Sequence, residues 1–356
     1  MNSHRSNNTR KITIIGKYNS PYGTADGQVV KTEILTREIE NRLGKSNIGR
    51  IDTYGWKKHP FKLLFKSILA VWKSHHVIFM TDEGGIKIFP WLLLCSNVFH
   101  KRKLHYVVVG GWLVHFVKKH SFIRACLKKF NGIYVETTVM LHALKKEGFK
   151  NIILLPNFKP LQLIELSNSL CHHEQPFRLC TFSRVMKEKG IDDAIDAVQQ
   201  VNRYFNKTVC TLDIYGSVDP NQTEWFECLK ETFSTEIRYC GVVDYIKSAE
   251  VLKDYFVLLF PTEFFTEGIP GTIIDAYAAG VPVVASQWES FSDVVDHDIT
   301  GIGYSFGNQK CLKDVLIDLV SNPHRVYDMK INCLKKAEQY LPINVLEPFF
   351  QILDNA

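Results

Sequence analysis

Short runs of β-branched and aromatic residues alternate with longer segments of helical period along the whole chain. In the first half the predicted strands are Lys11–Lys17, Gly49–Tyr54, His76–Met80, Leu104–Val109, Gly132–Glu136 and Ile152–Pro156. The predicted helices between them are Val30–Leu43, Phe61–Lys73, Ile86–Phe99, Phe122–Phe130 and Val139–Gly148. This alternation is typical of a parallel sheet with helices on both faces.

A polar segment, Lys159–Pro176, interrupts the alternation, and we interpret it as a linker. Beyond it the predicted strands are Phe177–Ser183, Thr211–Tyr215, Ile237–Cys240, Phe256–Phe260 and Pro282–Ala285. The predicted helices are Ile191–Phe205, Glu224–Phe233, Thr272–Ala279, Leu312–Leu319 and a C-terminal run from His324. The sequence therefore predicts domains at 1–165 and 166–340, with a last helix at 341–356 that packs back on the first.

Two successive βα cycles predict an α/β fold with two Rossmann-like domains. Ligands of open parallel sheets bind beyond the carboxyl ends of the strands, so a cleft shared by the domains is the expected site.

The composition is that of a globular protein, because 46% of the 356 residues are hydrophobic and 22% are charged. The longest apolar stretch, Phe89–Phe99, is much shorter than the roughly 20 residues of a membrane-spanning helix. Met1–Arg10 lacks the apolar core of a signal peptide. The nine cysteines occur singly, which favours reduced thiols in the cytoplasm over disulfides or a zinc site.

Charge is distributed unevenly between the two halves. Residues 1–165 carry 27 Lys and Arg against 10 Asp and Glu, whereas the rest carry 16 against 27. The first half is therefore expected to meet an acidic partner, either an anionic membrane surface or an acidic glycan. Nucleic acid is not favoured, since no nucleic-acid-binding motif accompanies the charge.

Two segments of the basic half, 59–73 and 112–124, mix lysines with bulky apolar residues, as helices that lie on anionic lipid do. In the second segment the rings of Trp112, Phe116 and Phe122 are candidates to enter the headgroup layer. The alternative is that these aromatic residues pack on the N-terminal sheet and that the neighbouring cations only keep the surface soluble.

The most informative segment, Phe260–Ala285, reads as a buried strand, a loop rich in glycine and proline, a helix and a second strand. Gly268 and Gly271 allow the backbone to approach a ligand, and the N-terminus of the following helix suits a diphosphate. Glu267 and Asp275 are candidate acceptors for sugar or ribose hydroxyls, although Asp275 alone is equally well explained by its place near a helix start.

Two cations precede this segment at the end of another predicted strand. Arg184 follows that strand, and Lys189 precedes Gly190 at a helix start. Cations so placed can hold both phosphates of a nucleotide diphosphate and stabilise the charge that develops as a glycosidic bond breaks.

The segment EGIPGTIIDAYAAGVPVVAS, residues 267–286, resembles the E-x7-E signature of glycosyltransferase family 4, with Asp275 in the place of the second glutamate. Phe182–Ile195 is similar to the G-R-L-x-x-x-K-G segment of that family, with Ser183 in the place of glycine. The resemblance implies the two-domain GT-B fold, in which two Rossmann-like domains face a central cleft.

The resemblance also implies roles for individual residues. Glu267, Arg184 and Lys189 would be catalytic, with Glu267 on the transferred sugar and the two cations on the diphosphate. The remaining donor contacts would come from Gly27, Gly216, Val242, Gly268, Ile269, Pro270, Gly271 and Asp275. Among these, Asp275 would bind the ribose, the turn at Val242 would meet the base, and the loop up to Gly27 would approach the phosphates.

One feature departs from the pattern of family 4. Many members carry a histidine after a middle strand of the N-terminal domain, where this chain has Val107–Trp112. His115 follows a few residues later, and whether it substitutes stays open.

The activity implied by the resemblance is transfer of a hexose from a UDP- or GDP-linked donor to an acceptor hydroxyl, with retention of configuration. Neither metal nor cofactor is expected, because two cations neutralise the diphosphate. The expected acceptor is a lipid-linked glycan of bacterial polysaccharide or O-antigen assembly, reached from the cytoplasm or from the inner membrane face. The alternatives are an inactive subunit that binds nucleotide sugars and a sugar-nucleotide epimerase of GT-B fold.

Overall fold

The computed structural model describes residues 10–18, 27–165 and 174–354. The chain forms two compact units, Met1–Pro156 with Leu346–Ala356, and Asn157–Val345. The sequence placed the division nearer residue 165. In the structure Lys159 and Ile164 already belong to the second unit, where their amides donate to the carbonyls of Tyr340 (3.0 Å) and Ala278 (3.0 Å). Of the predicted linker, residues 166–173 lie outside the described ranges.

The first unit contains a six-stranded parallel sheet in the order β2-β1-β3-β4-β5-β6. Its strands are β1 (Arg10–Gly16), β2 (Ile48–Asp52), β3 (Ser74–Phe79), β4 (Lys103–Val107), β5 (Gly132–Val135) and β6 (Ile152–Leu154). Its helices are Gly27–Leu43, Pro60–Lys73, Glu83–Ile86, Phe89–Asn97, Leu113–Lys119, Ser121–Leu127 and Thr138–Lys146. The central strands are buried and rich in Val and Ile because helices cover both faces of such a sheet.

The last helix, Pro342–Asp354, contributes its C-terminal part to the first unit. Phe349 is buried and makes an edge-on ring contact with Tyr134 of β5, with 4.8 Å between centroids. On the outer side of the helix, Arg42 forms ion pairs with Glu347 (3.0 Å) and Asp354 (2.9 Å).

The second unit contains another six-stranded parallel sheet, in the order β12-β11-β10-β7-β8-β9. Its strands are β7 (Phe177–Phe182), β8 (Cys210–Tyr215), β9 (Ile237–Gly241), β10 (Val257–Phe260), β11 (Val283–Ser286) and β12 (Gly301–Tyr304). Its helices are Ile191–Tyr204, Thr223–Lys230, Ser248–Leu252, Gly271–Ala278, Phe291–Val294, Gln309–Ser321 and His324–Glu338. The predicted α/β class with two Rossmann-like units is thus confirmed, whereas β12 was not predicted, because Gly301–Tyr304 is short and half glycine.

Strand order locates a switch point in each sheet, where successive connections leave in opposite directions. In the second unit it lies between β7 and β10, and in the first between β1 and β3. At the latter, Gly16 packs on the helix after β1, since a Cβ there would lie 2.7 Å from Thr32 Cγ2. Gln28 also donates to the Met80 carbonyl just after β3 (3.1 Å).

The two aromatic segments of the basic half differ in their packing. Phe116 is buried, and Trp112 is partly buried with its indole donating to the Val109 carbonyl (2.9 Å). The hypothesis that both rings enter lipid is therefore wrong, because they complete the core of the first unit. Of that segment Phe122 stays exposed, whereas helix Pro60–Lys73 exposes several large side chains. None of the helices in the described parts of the chain is both long and apolar enough to span a bilayer.

The stability of the second unit depends on the ionisation of one aspartate. Asp193 lies in the first turn of helix Ile191–Tyr204. Burial raises its pKa to about 7, and the neighbouring charges of Asp192, Glu263 and Asp196 act in the same direction. A carboxyl group with a raised pKa in the folded state stabilises the fold fully below its unfolded pKa near 4 and loses that contribution as pH rises to 7.

We therefore expect Asp193→Asn to stabilise the protein at pH 8, by about 1 kcal/mol or more, and less at pH 5. Urea unfolding at both pH values measures the difference. Asp192→Asn removes one of the charges that raise the pKa, so it should shift the pH dependence toward lower pH. A gain from Asp193→Asn that is equal at pH 5 and pH 8 contradicts the prediction.

Candidate active site

Lys189 and Glu267, 78 positions apart in sequence, form a direct ion pair at the switch point of the second unit. Lys189 ends the 3-10 turn after β7, and Glu267 lies in the loop after the adjacent strand, β10. The structure thus brings together two residues that the sequence predicted as catalytic. Both side chains are partly buried, so their charges are less screened than those of a surface pair.

Neighbouring groups hold this ion pair in place. The Thr262 hydroxyl donates to Glu267 Oε1 (3.1 Å), and the Thr262 carbonyl accepts from the Ser286 hydroxyl (2.6 Å). The Lys189 ammonium lies 5.3 Å from the ring centroid of Phe260 and 5.0 Å from that of Phe264. These two cation–π contacts help to hold the ammonium group in this position.

Gly190 permits the close approach of the two loops that carry the pair. It has a φ of 65°, and a Cβ at this position would lie 2.0 Å from the Pro261 carbonyl oxygen. A larger residue would push the turn of Lys189 away from the end of β10, so glycine is required here.

Arg184 is the second residue after β7 and is about half exposed. Its guanidinium lies 3.6 Å from an oxygen of Asp219. The strand end is fixed by Gly216, which has a φ of 135° and where a Cβ would lie 1.8 Å from the Ser183 carbonyl oxygen. This places Arg184 and Lys189 on the connection that leaves the same strand.

The loop Gly268–Gly271 leads into helix Gly271–Ala278, as predicted from the sequence. Gly268 and Ile269 are buried, Pro270 and Gly271 are partly exposed, and the Asn157 amide donates to the Ile269 carbonyl (2.9 Å). The first amides of any helix have no partner within it, and they form a favourable site for an anion.

Sequence reasoning missed Thr272, the second residue of this helix. Its hydroxyl is buried and has no hydrogen-bond partner among the described residues. A buried polar atom of this kind usually indicates a water or ligand contact. The signal that can be read in the sequence is a hydroxyl residue directly after Gly-Ile-Pro-Gly.

Asp275 does not form a second partly exposed carboxylate beside Glu267. It is only 5% exposed, and both of its carboxylate oxygens accept from the Lys159 ammonium at 2.6 Å. Burial raises the pKa of Asp275, whereas Lys159 and Ser248 oppose that rise. The sequence placed Lys159 in the predicted N-terminal domain, residues 1–165, so this partner was not foreseen.

The remaining residues that the sequence predicted for the site lie on other elements. Val242 lies after β9 and is exposed, beside Gly241 with a φ of 75°. Gly27 begins the first helix and is exposed, whereas residues 19–26 of its loop lie outside the described ranges. His115 is exposed on helix Leu113–Lys119, so no catalytic role is derived for it.

The arrangement around Lys189 and Glu267 offers a cation, a carboxylate, helix amides and an unsatisfied hydroxyl at one edge of the sheet. These groups can bind phosphate oxygens on one side and hydroxyl groups on the other. Two cavities of about 430 and 440 Å³, one in each unit, are lined by other residues.

Loss of one partner from the buried pair of Lys159 and Asp275 is expected to be strongly destabilising, because it leaves the other charge buried and uncompensated. Lys159→Met should destabilise the second unit by about 3–5 kcal/mol, and the double variant Lys159→Met, Asp275→Leu should recover most of that loss. Urea unfolding of both single variants and of the double variant gives the coupling.

The exposed pair of Lys253 and Glu250 provides the matched control. Its disruption should cost less than about 1 kcal/mol. If the Lys159 and Asp275 changes are additive, the two side chains do not act as a pair.

Known proteins resemble this chain in sequence and in fold. Residues 176–322 match the sequence profile of the family Glycosyl transferases group 1. The chain is 24% identical over 173 residues to the amylovoran biosynthesis glycosyltransferase AmsK of Erwinia amylovora, an alignment that covers 46% of this chain and 41% of that protein. The chain thus spans less than half the length of this relative.

Two solved structures show the same fold over nearly the whole chain. HepE of Anabaena, in complex with UDP and glucose, superposes with a TM-score of 0.74 at 13% identity and covers 98% of this chain and 100% of its own. Sucrose-phosphate synthase of Thermosynechococcus elongatus has a TM-score of 0.78 at 14% identity, with 97% and 98% covered.

The profile match and the superpositions confirm the predicted likeness to glycosyltransferases of GT-B fold. The assignment to glycosyltransferase family 4 stays a prediction. Residues 176–322 thus match the family Glycosyl transferases group 1, within a chain that has the glycosyltransferase B fold.

Proposed function

We propose that the protein transfers a hexose from a nucleotide-diphosphate sugar to an acceptor hydroxyl, with retention of anomeric configuration. The observation that carries the proposal is the ion pair of Lys189 and Glu267 at the switch point, beside the N-terminus of helix Gly271–Ala278. A UDP-linked donor is favoured over a GDP-linked one, since HepE was solved with UDP and glucose.

In the proposed reaction the bond between the anomeric carbon and the diphosphate oxygen breaks, and negative charge develops on that oxygen. Lys189, Arg184 and the helix amides stabilise this charge, a contribution that electrostatic preorganisation makes large. Metal-independent transfer is part of the proposal, because these groups neutralise the diphosphate themselves.

Glu267 is proposed to bind hydroxyl groups of the transferred sugar. In the free chain it holds Lys189, and Thr262 donates to the same carboxylate oxygen. Donor binding then replaces part of this ion pair with contacts to phosphate and sugar. Asp275 acts through Lys159 as a residue that positions helix Gly271–Ala278. Its predicted contact with the ribose stays a proposal.

The acceptor is proposed to be a lipid-linked glycan of bacterial polysaccharide or O-antigen assembly, met at the cytoplasmic face of the membrane. The relative named for amylovoran biosynthesis supports the polysaccharide part. The surface of the first unit supports the membrane part.

We define the aromatic–basic surface as the exposed side chains of helix Pro60–Lys73 and its neighbours. Phe61, Phe65 and Trp72 are 83%, 62% and 50% exposed. At 100° per residue these three positions fall within 40° of one another on the helix.

Lysines run beside this aromatic stripe. Lys62, Lys66 and Lys73 are exposed and lie about 100° around the helix from the aromatic residues. The helix packs against Phe89–Asn97, which carries the exposed Trp91 and is followed by Phe99 with 93% exposure. Aromatic rings flanked by cations suit the headgroup layer of an anionic membrane.

The catalytic proposal predicts how turnover responds to loss of each charge. Lys189→Ala and Arg184→Ala should each lower the rate about 30- to 1,000-fold, the equivalent of about 2–4 kcal/mol, because each removes a contact that strengthens in the transition state.

Glu267→Gln should lower turnover as severely, while UDP affinity stays the same or rises because Lys189 loses its partner. Release of UDP from a panel of UDP- and GDP-linked hexoses measures turnover, and calorimetry measures UDP binding.

Lys187→Ala is the matched control, since Lys187 is exposed on the same turn as Lys189. Its rate should remain within about twofold of the parent protein. Donor binding without turnover would favour the alternative of an inactive binding subunit. Conversion of the donor sugar without release of UDP would favour the epimerase.

The membrane proposal predicts sedimentation with anionic vesicles and not with neutral ones. Changing Lys62, Lys66 and Lys73 to Ser should weaken binding, at about 1 kcal/mol per cation, and high salt should weaken it further. Changing Phe61, Phe65 and Trp72 to Ser should weaken it at all salt concentrations, because apolar contacts are not screened.

Lys145, Lys146 and Lys150, also exposed on the first unit, provide a control with the same loss of charge. If their replacement reduces vesicle binding as much as that of Lys62, Lys66 and Lys73, the surface has no specific role.

A further inference from the structure

A cavity of about 430 Å³ lies in the first unit at the edge of the sheet where the strands begin. His76 is the third residue of β3, Lys103 begins β4, and Asn131 directly precedes β5. Pro348, Gln351 and Ile352 of the last helix form the opposite wall. Gly16 ends β1 and Met80 follows β3 at the opposite edge of the sheet, so the cavity is separate from the switch point of this unit.

A chain of hydrogen bonds leads from the core to this cavity. The Tyr134 hydroxyl contacts His105 Nδ1 (3.0 Å), and His105 Nε2 contacts His76 Nδ1 (3.0 Å). His76 is 1% exposed, yet its Nε2 has no partner among the described residues. The chain therefore ends on a buried polar atom at the cavity wall.

The donor and acceptor roles along this series of hydrogen bonds follow from the Tyr134 hydroxyl at its inner end. Burial raises the pKa of Tyr134, so its hydroxyl keeps its proton. Among the described residues His105 Nδ1 is the one partner of that hydroxyl, and because a buried O–H left without an acceptor is costly, we assign His105 Nδ1 as its acceptor. Burial lowers the pKa of His76 to about 4 and that of His105 to about 3, so both rings are neutral at pH 7 and carry one N–H each.

Because His105 Nδ1 accepts, the proton of that ring is on Nε2 and is donated to His76 Nδ1. With that assignment the proton of His76 lies on its own Nε2, and because His76 lines the cavity, we take this N–H as the donor that the pair offers there. The histidine pair therefore presents a donor, and not an acceptor, to whatever occupies the space.

The other polar groups of the cavity agree with this polarity. The ammonium of Lys103 is exposed at the rim, and Asn131 accepts from the Leu104 amide through its oxygen (2.9 Å), so its NH2 group remains to donate. Lys11 adds positive charge near His76, whereas the nearby carboxylate of Asp354 is bound by Arg42 (2.9 Å).

We propose that this cavity binds a small phosphate ester, with the phosphate on His76 Nε2, Lys103 and Asn131. Donors from three adjacent strands suit the several oxygens of a tetrahedral phosphate. The volume exceeds that of a bare phosphate, and Pro348 and Ile352 provide an apolar wall for a body of sugar size. Since the last helix forms that wall, the ligand stabilises its docking on the sheet.

Histidine-selective 15N NMR of the whole chain tests the donor chain and the ligand together. Without ligand, both His76 and His105 should be protonated at Nε2. Glucose 6-phosphate should shift the His76 Nε2 signal in a saturable way, inorganic phosphate should do so more weakly, and glucose should not. A proton on His76 Nδ1, or no saturable shift up to about 10 mM ester, overturns the proposal.

Lys103→Gln should weaken the glucose 6-phosphate affinity about tenfold or more, the usual effect of losing a charge-assisted contact, while the exposed Lys118→Gln should leave it unchanged. Equal affinities of the two variants would contradict the assigned phosphate position. Equal binding of glucose and of its phosphate would contradict an anion site, and inorganic phosphate binding as tightly as the ester would contradict the site for the sugar body.

Discussion

Parallel strand pairing is the constraint on which the rest of this structure depends. In each sheet every strand must return by a crossover, so all carboxyl ends collect at one edge and the loops that follow them become neighbours. Lys189 and Glu267 meet for this reason, since they follow strands that are adjacent in the sheet but separated by two further βα units in the sequence. The opposite edge of the first sheet collects the strand starts in the same way, which places His76 beside His105.

Charged side chains are buried in both units, and two of the buried lysines, Lys31 and Lys159, each have a carboxylate partner. Lys31 donates to Glu136 (2.5 Å) and to the Val108 carbonyl (3.2 Å) in the first unit. Lys159 holds Asp275 in the second. Burial of an ion costs free energy unless a partner offsets it, so such pairs specify which segments lie together more than they stabilise the fold. The pair of Lys159 and Asp275 attaches the segment from Asn157 onward to helix Gly271–Ala278. This attachment accounts for the position of the boundary between the two units.

The sequence allowed prediction of the fold class, most strands and the loop around Glu267, because these depend on local hydrophobic period and on glycine and proline spacing. Lys189 and Glu267 were both identified, although their direct contact could not be read from spacing. The partner of Asp275 was missed because Lys159 lies 116 positions away and follows a strand of the other unit. Trp112 and Phe116 were uncertain for a related reason, since an aromatic residue beside lysines can face either the core or the solvent.

The ion pair of Lys189 and Glu267 has a consequence for selectivity. A lone ammonium at a helix N-terminus would attract any phosphate in the cell, but here each anion must compete with a carboxylate already in contact. An anion that merely displaces Glu267 leaves that carboxylate without its cation in a partly buried place. A molecule that offers hydroxyl groups to Glu267 and phosphate to Lys189 satisfies both at once. In the proposed reaction the ion pair therefore favours a ligand that carries a phosphate and sugar hydroxyl groups together over free phosphate or free sugar.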